Sequence, residues 1–71
     1  MKLTQKQAQN ILETARTQMQ QVPTYRLGQA IFNLLPKEVS DTIYMTELDF
    51  FFWTDSDKVL QVFYDNLVGD E

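Results

Sequence analysis

The chain contains no cysteine and no histidine, and only two glycines and two prolines. Without cysteine there are no disulfides, thiolate metal sites or thiol nucleophiles, and the expected setting is a reducing cytoplasm rather than a stapled secreted mini-domain. Without histidine the commonest general base and the commonest zinc ligand are missing, which excludes hydrolytic triads and two-histidine metal helices. The acid pair Asp55 and Asp57 in Asp55-Ser56-Asp57-Lys58-Val59 fails the calcium-loop pattern: Val59 stands at its fifth position and no glycine follows. Gly28 and Gly69 are too few and too far apart to build a phosphate-cradling loop. No cofactor and no metal is expected. The longest apolar run, Phe50-Phe51-Phe52-Trp53, is far short of a membrane span, and the first residues lack the apolar centre of a signal peptide.

What is present suits a small folded domain. Apolar residues make up 44% of the 71 positions, too many for a disordered tail. The length allows a single domain, residues 1–71, with a radius of gyration of about 11 Å. A domain this small buries only about 60% of its unfolded surface, so each core contact matters.

Periodicity indicates an all-α fold: a small four-helix domain with an irregular aromatic segment before the last helix. Ala8, Ile11, Leu12, Ala15, Met19 and Val22 form one stripe of a helix over residues 4–21. Thr4 can cap it, Gln7 holds the reciprocal capping-box position, and Pro23 ends it. A second helix is expected from Thr24 to Leu35, with Leu27, Ile31, Leu34 and Leu35 as its main apolar stripe, Ala30 and Phe32 flanking it, and Gly28 allowing a close approach. Pro36 separates it from a short helix, Lys37 to Tyr44, that turns Val39 and Ile43 inward. Residues 45–53 have β-prone composition but no partner strand, so they are expected to be irregular. Thr54 is expected to cap a last helix with Asp57 at the capping-box position, an inner face of Val59, Leu60, Phe63 and Leu67, and an end at Gly69. The long first helix is expected to pack on the second and fourth.

Charge divides unevenly. Residues 1–36 hold Lys2, Lys6, Arg16 and Arg26 against Glu13 alone, a net +3; residues 37–71 hold nine acids against Lys37 and Lys58, a net −7. The ordinary reading is a pair of solvated faces. The sharper one is an acidic surface that steers a basic partner.

Three constellations compete for a function. In the first, Leu48-Asp49-Phe50-Phe51-Phe52-Trp53, no regular backbone can turn four consecutive rings inward, so at least one stays exposed. Exposed rings beside Asp49, Asp55 and Asp57 resemble a protein-binding hot spot with a charged rim; the plainer reading is a small core covered by rings with their edges showing. The second is Arg26, Gln29 and Asn33, which share a helical face at i, i+3 and i+7 and are side-chain types that read base edges in a helix-turn-helix. Six bases and a net charge of −4 oppose nucleic acid. The alternative role for Arg26 and Asn33 is to tie down the aromatic segment through its backbone and Asp49. The third pairs Asp49 with Asp55 or Asp57 as an acid/base couple in a glycan cleft, which so short a chain rarely forms; no enzyme is expected.

Arg26-Leu27-Gly28-Gln29-Ala30, then Asn33, Leu35 and Pro36, and later Asp49, Phe50, Phe51 and Asp55 resemble a family of short phage- or plasmid-borne bacterial proteins. That family carries R-x-G-Q-x-x-x-N-x-L-P followed by D-x-F-F/Y-x-x-D. The resemblance implies a helical fold and a mobile-element setting, and brings no chemistry with it. The leading expectation is therefore a cytoplasmic, non-enzymatic protein-interaction module, a small regulator or inhibitor of a mobile element. It would use Asp49, Phe50, Phe51, Phe52, Trp53, Asp55 and Asp57 to hold an unidentified protein partner, as a monomer or homodimer and without a membrane. A helix-turn-helix-like nucleic-acid binder and a self-associating structural subunit are the alternatives.

Overall fold

Thr4 opens the first helix with a full capping box. Its hydroxyl accepts from the Gln7 backbone N–H at 3.1 Å, and its own N–H donates to Gln7 Oε1 at 2.9 Å. The computed structural model describes residues 2–69, and in it helix α1 runs Gln5–Gln21, buries Ala8, Leu12 and Ala15, and stops at Val22. Val22 itself is 40% exposed, so the inward stripe ends a turn earlier than its spacing suggests. Pro23 occupies a turn closed by the Tyr25 N–H on the Val22 carbonyl at 3.0 Å.

That turn delays the next helix. Arg26 has extended backbone, φ −96° and ψ 153°, and α2 spans Leu27–Leu34 instead of starting at Thr24. Its buried side is Leu27, Gly28, Ala30 and Ile31, with Leu35 buried just after it and Leu34 partly buried against the core. Pro36 precedes the single turn α3, Lys37–Ser40. From there the chain continues as hydrogen-bonded turns rather than helix to Tyr44, yet Val39 and Ile43 are both fully buried as their spacing requires.

Helix α4, Ser56–Val62, begins one residue later than expected, because Asp55 replaces Thr54 as its cap. The Asp55 carboxylate accepts from the Asp57 and Lys58 N–H groups at 3.1 and 3.3 Å. The helix widens into a π turn, Phe63–Leu67, with Asn66 Nδ2 donating to the Val62 carbonyl at 3.2 Å. Val59, Phe63 and Leu67 point inward at intervals of four.

The described residues are all-α, with one isolated parallel β-bridge, Leu3 to Val68. The Leu3 N–H donates to Leu67 and the Gly69 N–H to Leu3, each at 2.8 Å. Leu3 immediately precedes the cap, the place of a hydrophobic staple to Ala8, and both residues are buried.

Helix α1 packs on α2, and α2 in turn packs on α4. The expected α1–α4 contact is therefore not a main one; the short central helix lies between them. The radius of gyration is 11.2 Å. Phe50, Phe63, Ile31, Ile43, Val39 and Val59 are among the largest sealed side chains of the core. No helix among the described residues is long and apolar enough to cross a membrane.

Candidate functional site

Gly28 positions the aromatic segment. A Cβ on this residue would collide with the Phe50 carbonyl oxygen, and would lie 3.1 Å from its carbonyl carbon and 3.4 Å from Val59 Cγ2. Only hydrogen in place of a side chain lets the backbone of the segment rest directly on α2. Phe50 then drops into the core with no exposed surface.

The rings form an edge-to-face series. Phe32 of α2 meets Phe50 at 6.2 Å and Phe51 at 5.6 Å, Phe51 meets Phe52 at 4.8 Å, and Phe50 meets Trp53 at 6.4 Å, all at steep interplanar angles. The series runs from inside to outside. Phe50 is sealed, Phe51 and Trp53 are half-buried, and Phe52 is 74% exposed. Of the four rings assigned to a partner surface, Phe50 therefore supports the surface from beneath.

Asp49 holds the segment's shape. Its Oδ2 accepts from the Met45 N–H at 2.9 Å and its Oδ1 from the Phe51 N–H at 3.2 Å. Thr46 adds a second local brace: its hydroxyl donates to the Ile43 carbonyl at 2.7 Å and accepts from the Leu48 N–H at 3.2 Å. The backbone is thus satisfied locally, by its own turns and by side chains of the segment itself. This corrects the tie-down role considered for Arg26 and Asn33. Both are exposed, and among the described residues neither hydrogen-bonds to Asp49 or to the segment.

Under the grip of Asp49, Met45 takes φ 60°, the one non-glycine left-handed residue among the described residues. That conformation costs about 1–2 kcal/mol for a residue with a Cβ. It leaves the methionine side chain 83% exposed, next to Tyr44 at 58%. Tyr44, Met45, Phe51 and Phe52 surround an open groove of about 350 Å³, with Phe32 and Asp49 completing its lining. Phe52 also borders a second groove of about 380 Å³ lined by Trp53, Thr54, Asp55 and Lys58. Phe52 is thus the ridge between two depressions. Tyr44 and Met45 were absent from the sequence-derived set. Nothing in the order Tyr-Met-Thr announces exposure, because the left-handed turn that creates it depends on Asp49 four residues later.

Of the acids in this half of the chain, Asp49 and Asp55 line the grooves. Asp41 is paired with Lys37 at 2.8 Å, and this hydrogen bond and the neighbouring negative charge raise the lysine above its ordinary pKa of 10.5. Asp49 and Asp55 serve backbone N–H groups, which accounts for two of the carboxylates proposed for acid/base chemistry. Asp57 is exposed in the first turn of α4. Among the described residues no group of three acids is placed to hold a metal ion. Arg26 stands outside α2, Gln29 is half-buried and Asn33 is exposed, so the three do not form one continuous exposed helical row. No protein-family model, curated protein or solved structure matches this chain.

Proposed function

We propose that this chain is a non-enzymatic protein-interaction module that holds its partner on the surface formed by Tyr44, Met45, Phe51 and Phe52, with Trp53 at its flank. The observation that carries the reading is Met45: a left-handed backbone turn, fixed by Asp49, spends stability to keep an apolar side chain in water beside an exposed phenylalanine. Folding alone does not call for such an arrangement, and strain of this kind concentrates at binding sites. Aromatic residues and methionine are also the types enriched where partners are gripped. Asp49, Asp55 and Asp57 supply the polar rim, and a small regulator or inhibitor of a mobile element would use such a surface.

The test is affinity capture from cells that express the protein, comparing the natural chain with Phe52→Ala, Met45→Gly and, as a control on exposed α1 outside both grooves, Gln20→Ala. Phe52→Ala should weaken retention of the partner about thirty-fold, the loss of one anchor worth about 2 kcal/mol. Its unfolding midpoint should stay close to that of the natural chain. Gln20→Ala should change neither quantity. Full retention by folded Phe52→Ala and Met45→Gly would overturn the reading.

A further inference from the structure

The groove beside Phe52 lies in the most acidic stretch of the chain. From Glu38 to Asp57 there are six acids (Glu38, Asp41, Glu47, Asp49, Asp55 and Asp57) and no lysine or arginine. Asp41 and Lys37 pair with each other and add no net charge, which leaves Glu38, Glu47, Asp49, Asp55 and Asp57 to set the sign of the stretch. Lys58, on the wall of the second groove, is the basic residue that faces the surface. Asp49 and Asp55 accept hydrogen bonds from backbone N–H groups. Those bonds hold the carboxylates in place without neutralising them.

We infer that the occupant of this surface is a basic segment of another protein: a large apolar side chain that enters the groove of Tyr44, Met45 and Phe52, flanked by lysine or arginine facing the acids. The inference rests on the interaction-module reading and names its partner's chemistry. Charge complementarity is the argument. The groove linings hold Asp49 and Asp55 against Lys58, and a rim with an excess of one sign raises the encounter rate with an opposite surface and penalises a like one.

The same argument disfavours a second copy. Two copies meeting surface to surface would oppose two acid-rich rims. Docking the surface onto the basic half of another copy supplies Lys2, Lys6, Arg16 and Arg26, but the exposed face of α1 is largely glutamine and other polar residues. It offers the groove no large apolar side chain beyond the partly exposed Val22. A basic peptide with an apolar anchor satisfies both requirements. The flexible methionine and the ridge of Phe52 suit an anchor whose exact shape is not prescribed.

The test is selection of a library of random linear peptides on the immobilised full chain, with the enriched peptides then titrated by fluorescence anisotropy. The enriched peptides should place lysine or arginine around a large apolar residue, bind more weakly as salt rises, and lose binding to Phe52→Ala. Copies with glutamate replacing the basic flanks should bind about ten-fold more weakly, and the double variant Glu47→Lys/Asp57→Lys should reverse that order. Peptides that require Phe52 but show no excess of basic residues would overturn this inference and leave the interaction surface standing. A selection with no Phe52-dependent binder would overturn both. Concentration-dependent association of the chain in sedimentation, abolished by Phe52→Ala, would assign the groove to a second copy and overturn the basic partner.

Discussion

In α1 the backbone pairs with itself for seventeen residues, and side chains are needed only at its first turn, where Thr4 and Gln7 close the cap. Between Asp41 and Asp55 the construction differs. There isolated backbone turns, such as Thr46 N–H on the Ile43 carbonyl and Trp53 N–H on the Phe50 carbonyl, are reinforced by side chains: the Thr42 and Thr46 hydroxyls donate to carbonyls three residues back, and Asp49 accepts from two backbone N–H groups. The first region is built from repetition. The second is built from individual contacts, each of which can be removed by one substitution. A surface that must present particular side chains outward at unusual angles needs the second construction, since a regular helix spreads its side chains at fixed intervals.

Removing the buried end of the ring series should separate the regions most sharply. Phe50→Ala leaves a cavity where Phe32 and Trp53 now meet its ring, and should cost about 3–5 kcal/mol in urea unfolding. In a domain of this size that is most of the stability. The exposed Phe52→Ala should cost no more than about 0.5 kcal/mol. Equal effects would mean that the inside-to-outside gradient of the rings is wrong.

Gly28→Ala comes next. The added methyl group meets a backbone carbonyl, which cannot rotate away as a flexible side chain would. A loss of about 1–3 kcal/mol is expected, with the largest amide shifts by NMR at residues 49–53. A neutral substitution would mean that the aromatic segment does not rest on α2.

Asp49→Ala frees the Met45 and Phe51 N–H groups together and should cost about 1–2 kcal/mol. Hydrogen exchange should accelerate between Met45 and Phe51 while α1 stays protected. If α1 exchange rises equally, the two regions do not differ in how they are held. The smallest effect has the opposite sign. Met45→Gly relieves the left-handed strain and should raise stability by about 0.5–1 kcal/mol while weakening partner capture. A variant that is both less stable and fully active would remove Met45 from the site.

Legibility follows the same division. Thr4, Gln7 and Pro23 mark both ends of α1, because caps and proline act on their immediate neighbours. The inward residues Val39, Ile43, Val59, Phe63 and Leu67 were readable from spacing, since any buried helical face must repeat. Elsewhere local signals pointed close but not correctly. Thr54 and Asp55 are both competent caps, and the path of the chain leaving Trp53 selects Asp55. The turn at Pro23 occupies residues that would otherwise have opened α2. The π turn and the Leu3–Val68 bridge leave no local pattern, because each joins or adjusts parts of the chain that meet only after packing.

The sequence alone determined that the chain is helical, that its histidine- and cysteine-based chemistries are absent, and that four adjacent rings could not all be hidden. Those conclusions depend on composition and on periodicities of a few residues, which neighbours along the chain enforce. Tertiary structure decided which ring faces water, that Met45 joins it, and that Asp49 holds its own segment. Such choices depend on where α2 and the aromatic segment touch at Gly28, a contact between residues twenty-two positions apart in the chain.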